Sequence, residues 1–145
     1  WMHNGLMEDA EGKLSKSRDE RITLEEVFED CPPAALRFYL LSHHYRDFTP
    51  YSPDGLLEAC QEGERLGVNA VDCMVEPTDP RDDDETAPLV AKFEKALDDD
   101  LDTPKALDVL RELDVIAGNR LKNGGDIGPV SGMYSIFQCV LGVFS

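Results

Sequence analysis

The stretch from residue 103 to residue 113, TPKALDVLREL, decides the fold class of this chain. Its apolar residues recur at steps of three and four, the spacing that places side chains on one face of an α-helix. They are Ala106, Leu107, Leu110 and Leu113. We expect Thr103 to cap this helix and Pro104 to occupy its first turn. A helix with one apolar face must bury that face, so the rest of the chain must supply its partners.

Three more helices are predicted upstream of this stretch. A T-x-x-E capping box at residues 23–26 opens a helix over 24–30. The Pro-Pro pair that follows ends this helix and opens a second one over 34–44, and Ser52-Pro53 opens a third. The second helix carries a broad apolar surface, which predicts that it is buried.

An acidic segment and two further helices complete the pattern. Residues 76–85, EPTDPRDDDE, hold six acids and two prolines, which predicts a solvated, flexible linker. A helix is expected over 89–97, after this segment. Glycines at 124, 125 and 128 break the chain, and the last apolar helix is expected from about Gly132.

The N-terminal residues 5–13 differ from the rest, because they combine a short extended piece with turn-forming residues. The chain is therefore predicted to be mostly α: a short N-terminal β/loop segment followed by an antiparallel helical bundle. We expect one domain over residues 1–50 and a second over 51–145, with the acidic linker near 76–86.

The charge of the chain excludes one broad class of function. Fourteen Lys and Arg face 30 Asp and Glu, a net charge of -16 over 145 residues. A general nucleic-acid coat needs a basic face, so a polyanionic partner would have to meet a local basic feature. The acidic, Lys-poor composition fits an ordinary acidic protein or one adapted to high salt, and both remain open. No apolar run approaches the about 20 residues of a membrane span, so no membrane partner is expected.

The four cysteines include no C-x-x-C pair, and no secretory segment is visible. Free thiols and a cytoplasmic location are therefore expected, and no metal site is predicted. Residue 1 is Trp rather than Met, which suggests a piece of a longer protein.

The acidic run at residues 98–102, DDDLD, invites a calcium interpretation that fails. An EF-hand loop starting at Asp98 needs Gly at its sixth position and Glu at its twelfth, where this chain has Thr103 and Val109. Carboxylates are favoured beside the positive N-terminus of a helix, so the run is predicted to have a structural role.

The run His43-His44-Tyr45-Arg46 stands at the predicted end of the second helix. Adjacent histidines point in different directions and cannot chelate one metal ion as an i, i+4 pair would. Cations are favoured at a helix C-terminus for structural reasons alone. Alternatively, the planar fork of Arg46 could bind a phosphate through two hydrogen bonds.

The segment Lys13-Leu14-Ser15-Lys16-Ser17 has the residue types of a polyphosphate-binding loop. Two mobile ammonium groups, with hydroxyls and loop amides between them, can fold over a chain of phosphates. Such charges are most valuable when pyrophosphate leaves. Solvated loops also contain this pattern, so it is a weak signal by itself.

In context this segment resembles class I cysteinyl-tRNA synthetases. WMHNG at 1–5 and GKLSKS at 12–17 are similar to the strand and the KMSKS loop that close the nucleotide site of that family. The resemblance continues through PAALRFYLLSHHYR at 33–46. It resumes at Phe93 and in ALDDDLDTPKAL at 96–107, which is similar to the family's helical tRNA-binding (DALR) domain, and VLGVF at 140–144 resembles the close of that domain.

The resemblance implies a reaction. The family activates cysteine with ATP and Mg²⁺ to cysteinyl-adenylate, releases pyrophosphate and transfers cysteine to the 3′ end of tRNA(Cys). It implies that Lys13 and Lys16 are catalytic, and that Lys16, Ser15 and Ser17 bind the ATP phosphates.

The resemblance also implies where the tRNA lies. Residues 1–50 would be the end of the catalytic region, and its helix up to Arg46 would meet the tRNA stem. Arg37, His44 and Arg46 are the candidate RNA contacts. Residues 51–145 would be the DALR-like domain that supports the tRNA limb, in an enzyme expected to be a monomer.

Two departures from the family limit what this chain is expected to do alone. The family's loop continues as Leu-Gly-Asn, whereas here it continues as Arg18-Asp19-Glu20, whose carboxylates would repel a polyphosphate. The HIGH motif, the nucleotide-binding strands and the zinc ligands of the family would lie upstream of Trp1, so zinc is expected only there. The missing N-terminal catalytic half is thus an expected partner, and the chain alone is not expected to aminoacylate.

Two alternatives remain open. The mycothiol-pathway ligase, which joins cysteine to glucosaminyl-inositol, is similar to this family and has a similar His-His-Tyr-Arg helix and Asp-rich segment. A non-catalytic paralogue that keeps only the tRNA-facing half is the other.

Overall fold

The computed structural model describes residues 2–9, 12–13 and 23–144. In these ranges the protein is mostly helical, as predicted, and its N-terminal extended residues belong to a small sheet. The α-helices are α1 (Leu24–Asp30), α2 (Pro33–Leu41), α3 (Pro53–Asp72), α4 (Ala87–Asp98), α5 (Thr103–Asn123) and α6 (Gly128–Leu141). The strands are β1 (Met7–Asp9), β2 (Gly12–Lys13) and β3 (Thr49–Pro50).

The sheet joins the N-terminal residues to the segment between α2 and α3. The strand order is β2-β1-β3. β1 and β2 are antiparallel, with Glu8 opposite Lys13, while β1 and β3 are parallel, with Met7 opposite Thr49. The middle strand is therefore held on both sides, and β2 lies at an edge.

The N-termini of α1 and α3 are capped by the predicted residues. The side chain of Thr23 accepts a hydrogen bond from the backbone N–H of Glu26, whose carboxylate accepts one from the Thr23 backbone, so the capping box is confirmed. Ser52 caps α3 by accepting from the backbone N–H of Gly55. α2 ends at Leu41, short of the predicted residue 44.

Helix α5 has the predicted course but a different cap. The prediction of Thr103 as its cap is wrong, because the side chain of Asp102 accepts the backbone N–H of Lys105 at 3.0 Å and Thr103 is the first helical residue. A carboxylate satisfies this orphan donor and also faces the positive end of the helix. The helix ends at Gly124, which has a left-handed φ of 72°.

Helix α6 begins four residues before the predicted start, at Gly128. The Gly-Pro pair opens the helix instead of breaking the chain, because proline fits the first turn without losing a hydrogen bond. A Cβ at Gly128 would lie 2.8 Å from Oγ1 of Thr78, so the helix start can sit against that residue only with glycine.

The acidic segment is exposed at eight of its ten residues, as its composition predicts, and it also forms local structure and contacts with distant residues. Pro80 begins a short 3₁₀ helix, Pro80–Asp82, that packs against α4 and α6, and both Pro80 and Thr86 are buried. The guanidinium of Arg120 binds Asp83 at 2.7 Å and Glu85 at 2.6 Å. The carboxylates are thus anchored by a cation that lies 35 residues or more along the chain.

The core is built around α5. This helix contacts α2, α3, α4 and α6, and its residues Leu107, Leu110 and Leu113 have no exposed surface. Across from it, Phe93 of α4 packs edge-on against Phe137 of α6, with 4.7 Å between the ring centroids. Among residues 2–9, 12–13 and 23–144, no helix combines the length and apolar character that a membrane crossing requires.

The burial of α5 predicts a large difference between two substitutions on this helix. Leu110→Ala should lower the free energy of unfolding by about 2–5 kcal/mol, because it leaves a cavity at a fully buried position. Val115→Ala, at a position that is 63% exposed, should change it by less than about 0.5 kcal/mol. Urea unfolding followed by circular dichroism measures both, and equal losses would contradict the central position of α5.

Candidate functional site

The loop with the predicted phosphate-binding residues follows the edge strand β2. Lys13 is the last residue of β2, and its backbone pairs with Glu8 of β1. Ser15, Lys16 and Ser17 lie outside the described residues, as do Arg18, Asp19 and Glu20. The structure therefore gives the anchor of this loop, and the roles of its side chains stay predictions.

The sheet that carries the loop is fastened to the turn after α2. Gly5 donates its backbone N–H to the carbonyl oxygen of Tyr45 at 2.6 Å, and a Cβ at Gly5 would overlap the carbonyl oxygen of Asp47. Glycine is required at this approach, because any other residue would push the two backbones apart. Thr49 then donates to the carbonyl oxygen of Leu6 at 3.0 Å, which begins the parallel pairing.

A polar cluster on the other side of this turn connects it with the segment between α4 and α5. Asp100 accepts hydrogen bonds from Nε and Nη2 of Arg46 at 2.5 and 2.9 Å, and from the hydroxyl of Tyr45 at 2.7 Å. Nε2 of His44 lies 3.9 Å from the same carboxylate. We call His44, Tyr45, Arg46 and Asp100 the Asp100 cluster.

The cluster changes the protonation behaviour of its members. The hydrogen bonds from Arg46, and then from Tyr45, lower the pKa of Asp100 from 3.8 to about 2. The same contact raises the pKa of Tyr45, because loss of its proton would place two negative oxygens together. The guanidinium of Arg46 lies over the Tyr45 ring, 5.1 Å from its centroid.

The three predicted RNA contacts have different surroundings. His44 and Arg46 face Asp100, and its carboxylate occupies the Nε–Nη2 edge of the Arg46 guanidinium. Arg37 is exposed on α2, and its side chain lies beside Gly142 at the end of α6. His43 is turned inward, with Nδ1 2.9 Å from the carbonyl oxygen of Tyr39.

The acidic run 98–102 makes the local contacts that were predicted for it and also one distant contact. Asp102 caps α5, and Asp99 lies 3.3 Å from the ammonium of Lys105, both of which are local contacts. Asp100 instead reaches across to Arg46, a pairing that the sequence pattern does not indicate. Within the ranges that the structure describes, no three His, Cys, Asp or Glu side chains are grouped as a metal ion would need.

Most arginines of the described helices are also paired with carboxylates. Arg111 binds both oxygens of Glu62 at 2.7 and 2.9 Å, and hydrogen bonding by Arg111 is the main cause of the lowered pKa of that carboxyl. Arg65 binds Asp114 at 2.7 Å, and Arg81 binds Glu94 at 2.6 Å. The helices therefore present little uncompensated positive charge.

An apolar groove between α3 and α6 is a further feature that the sequence analysis did not predict. Val68 and Val71 of α3 and Met74 after it are exposed along one side, while Tyr134 and Cys139 of α6 line the other. The hydroxyl of Tyr134 is buried and has no hydrogen-bond partner among the described residues.

Comparison with known families accounts for both ends of the chain. Residues 1–61 match the family model described as the tRNA synthetases class I (C) catalytic domain, and residues 92–145 match the DALR domain. The predicted resemblance is confirmed, and we call these parts the synthetase region and the DALR region.

Three full-length proteins that are similar to this chain are each described as a cysteine–tRNA ligase. The chain is 41% identical over 124 residues to the cysteine–tRNA ligase of Shewanella sediminis (strain HAW-EB3), an alignment that covers 84% of this chain and 26% of that protein. It is 39% identical over 118 residues to that of Pseudoalteromonas translucida (strain TAC 125), covering 78% and 24%. For Paenarthrobacter aurescens (strain TC1) the identity is 37% over 150 residues, covering 100% and 31%. The chain thus spans less than a third of the length of these relatives.

The Asp100 cluster joins the synthetase region to the DALR region, because its first three members lie in one and Asp100 lies in the other. The cluster, rather than the loop alone, is the part of the candidate site whose geometry the structure gives.

The lowered pKa of Asp100 predicts a pH dependence. The pKa of Asp100 in the folded state lies below 3.8, so its ionised carboxylate stabilises the folded state above about pH 4. This contribution to the free energy of unfolding is lost as the pH falls from about 4 towards 2. Carbon-detected NMR of the Asp100 carboxyl should give a midpoint near 2. Arg46→Gln should move the midpoint back towards 3.8, whereas Arg81→Gln, which removes an ion pair elsewhere, should not. An unchanged midpoint in Arg46→Gln would contradict the assignment.

Proposed function

We propose that this chain is part of a cysteine–tRNA ligase. The enzyme would activate cysteine with ATP to cysteinyl-adenylate and transfer the cysteinyl group to the 3′ end of tRNA(Cys). The chain would supply the KMSKS-like loop and the tRNA-supporting helices, while the HIGH motif and the zinc ligands would lie in an N-terminal half outside it. The enzyme would work in the cytoplasm as a monomer.

The position of Lys13 carries this proposal. This residue ends an edge strand within the synthetase region, so residues 14–17 continue from a strand that is hydrogen-bonded to its neighbour. A loop with one fixed end can bring its lysines over a bound polyphosphate while keeping freedom to close. ATP, with its Mg²⁺, would supply the adenylyl group: the carboxylate of cysteine attacks the α-phosphorus, the bond from that phosphorus to the bridging oxygen breaks, and pyrophosphate leaves.

The residues of the loop have separate roles in the proposal. The ammonium of Lys16 would hold the negative charge that grows on the departing pyrophosphate, and Lys13 would assist it. The hydroxyls of Ser15 and Ser17 would donate hydrogen bonds to phosphate oxygens. Asp19 and Glu20 must point away from the phosphates for this arrangement to form, because their charges repel a polyphosphate.

The tRNA would lie along the turn after α2 and the DALR region, whose helices we propose to form an antiparallel bundle. Arg37, His44 and Arg46 would contact the phosphate backbone. Because Asp100 takes Nε and Nη2 of Arg46, a phosphate would use the Nη1 edge, which still extends from an exposed side chain.

The sugar-amine ligase is the second candidate, since it would use the same adenylate chemistry. The shared name of the three relatives favours the tRNA ligase. Trapping the acceptor of radiolabelled cysteine distinguishes them: transfer to tRNA supports the proposal, and transfer to glucosaminyl-inositol contradicts it. A non-catalytic paralogue would form no adenylate.

The Lys16 assignment predicts a specific loss of activation. In the intact enzyme, Lys16→Ala should slow cysteine-dependent ATP–pyrophosphate exchange by about 100-fold to 1,000-fold, because one charge that stabilises the transition state is lost. Lys122→Ala removes an exposed lysine near the end of α5 and should leave the exchange rate within about twofold. Equal rates for Lys16→Ala and the unmodified enzyme would refute the role of Lys16.

A further inference from the structure

Asp100 has an unusual backbone. Its φ is 57° and that of Leu101 is 55°, so two successive residues other than glycine are left-handed. Such conformations are unfavourable and persist only where the surroundings enforce them, although Asp tolerates them better than most residues. Two hydrogen bonds enforce this turn, from the N–H of Leu101 to the carbonyl oxygen of Leu97 at 3.2 Å and from that of Asp102 to Ala96 at 2.9 Å.

This turn presents the Asp100 carboxylate to the residues that follow α2. The carboxylate accepts three hydrogen bonds, two from Arg46 and one from Tyr45. A bidentate contact with a guanidinium fixes orientation as well as distance. The side chains of Tyr45 and Arg46 are thus both held by one group from the DALR region.

The backbone of the turn after α2, which contains Tyr45 and Arg46, is hydrogen-bonded to the N-terminal sheet. The carbonyl oxygen of Tyr45 accepts the N–H of Gly5 at 2.6 Å, and the N–H of Tyr51 binds the carbonyl oxygen of Glu8 at 2.6 Å. Glu8 is in turn paired with Lys13, the residue from which the loop continues. A continuous set of contacts therefore runs from Asp100 to the start of the loop.

We propose that Asp100 is a positioning residue for the nucleotide loop: by holding Tyr45 and Arg46 it fixes the turn on which β1, β2 and the first residue of the loop are built. This inference rests on the proposed function in one respect, that the loop binds ATP. The substrate side of the site would then depend on the DALR region even when no tRNA is bound.

A merely structural ion pair and a positioning residue predict different results. Both Arg46 and Asp100 are about half exposed, and exposed pairs contribute little to global stability. A structural role therefore predicts almost no change in ATP binding when the charge of Asp100 is removed. A positioning role predicts weaker ATP binding in a protein that remains folded.

The first experiment measures cysteine-dependent ATP–pyrophosphate exchange in the intact enzyme without tRNA. Asp100→Asn keeps the size of the side chain and its tolerance for the left-handed backbone, but it loses the charge. It should raise the KM for ATP by about threefold to tenfold with a smaller change in kcat. Asp99→Asn is the matched control, because the side chain of Asp99 pairs with Lys105 and, among the described residues, has no hydrogen bond to the turn after α2; this variant should leave the KM unchanged.

Two further variants test the route through the turn. Tyr45→Phe removes a single hydrogen bond to Asp100 and should raise the KM for ATP in the same direction by a smaller factor. If Asp100 acts through Arg46, the double variant Arg46→Gln with Asp100→Asn should have the same KM as the more severe single variant. Full additivity of the two single effects would overturn this route.

The second experiment needs no activity and uses the 145-residue chain. Hydrogen exchange should become faster at the amides of Gly5, Thr49 and Tyr51 in Asp100→Asn, and stay unchanged in Asp99→Asn. If the intact unmodified enzyme shows no pyrophosphate exchange, the proposed function fails, while faster hydrogen exchange still supports the mechanical link. An unchanged KM in an active Asp100→Asn enzyme, or unchanged hydrogen exchange, overturns the inference.

Discussion

The burial of α5 is the constraint on which the other elements depend. This helix is covered by α2, α3, α4 and α6, so each of the four must present an apolar face at a fixed distance from it. Asp114, a polar residue of α5, lies inside this packing and is satisfied by Arg65 at 2.7 Å and Asn69 at 2.8 Å from α3. Because a buried carboxylate without partners is costly, these contacts also set how α3 lies against α5.

Several carboxylates of the acidic surface stabilise the arrangement of the loops, because arginines from other parts of the chain bind them. Arg120 fastens the acidic segment before α4 through Asp83 and Glu85, and Arg46 fastens the turn before α5 through Asp100. The pair of Arg46 with Asp100 is about half exposed and adds little stability, whereas the side chain of Arg120 is only 11% exposed. Both arginines join segments that are distant in sequence and so select one arrangement of the loops. The abundant carboxylates, which would be expected to repel one another, thus also hold the segments before α4 and α5 in place.

The elements of this fold were predictable where local chemistry decides them. The capping box at 23–26 and the apolar spacing of α5 act over three or four residues, and both were predicted correctly. Two errors are local, namely the cap of α5 and the end of α2. The others arise where a distant residue decides the outcome. The acidic composition of residues 76–85 gives no sign that Arg120 binds Asp83 and Glu85, because that contact joins segments distant in sequence. The Gly-Pro pair at 128 predicts a break from local chemistry alone, whereas its packing on Thr78 depends on tertiary structure. For the same reason, the partner of Asp100 in the candidate site could not be read from the acidic run.

The pairing of the arginines bears on how such a chain could meet tRNA. A nucleic-acid surface normally gains affinity when unpaired cations replace the counterions of the phosphates. Here Arg46, Arg65, Arg81, Arg111 and Arg120 each already contact a carboxylate. A phosphate approaching Arg46 would therefore meet a neutralised pair instead of a bare charge, and its gain would come from hydrogen-bond geometry at the remaining edge of the guanidinium. Recognition by shape and position, with weak long-range attraction, is the mode of tRNA binding that this acidic surface permits.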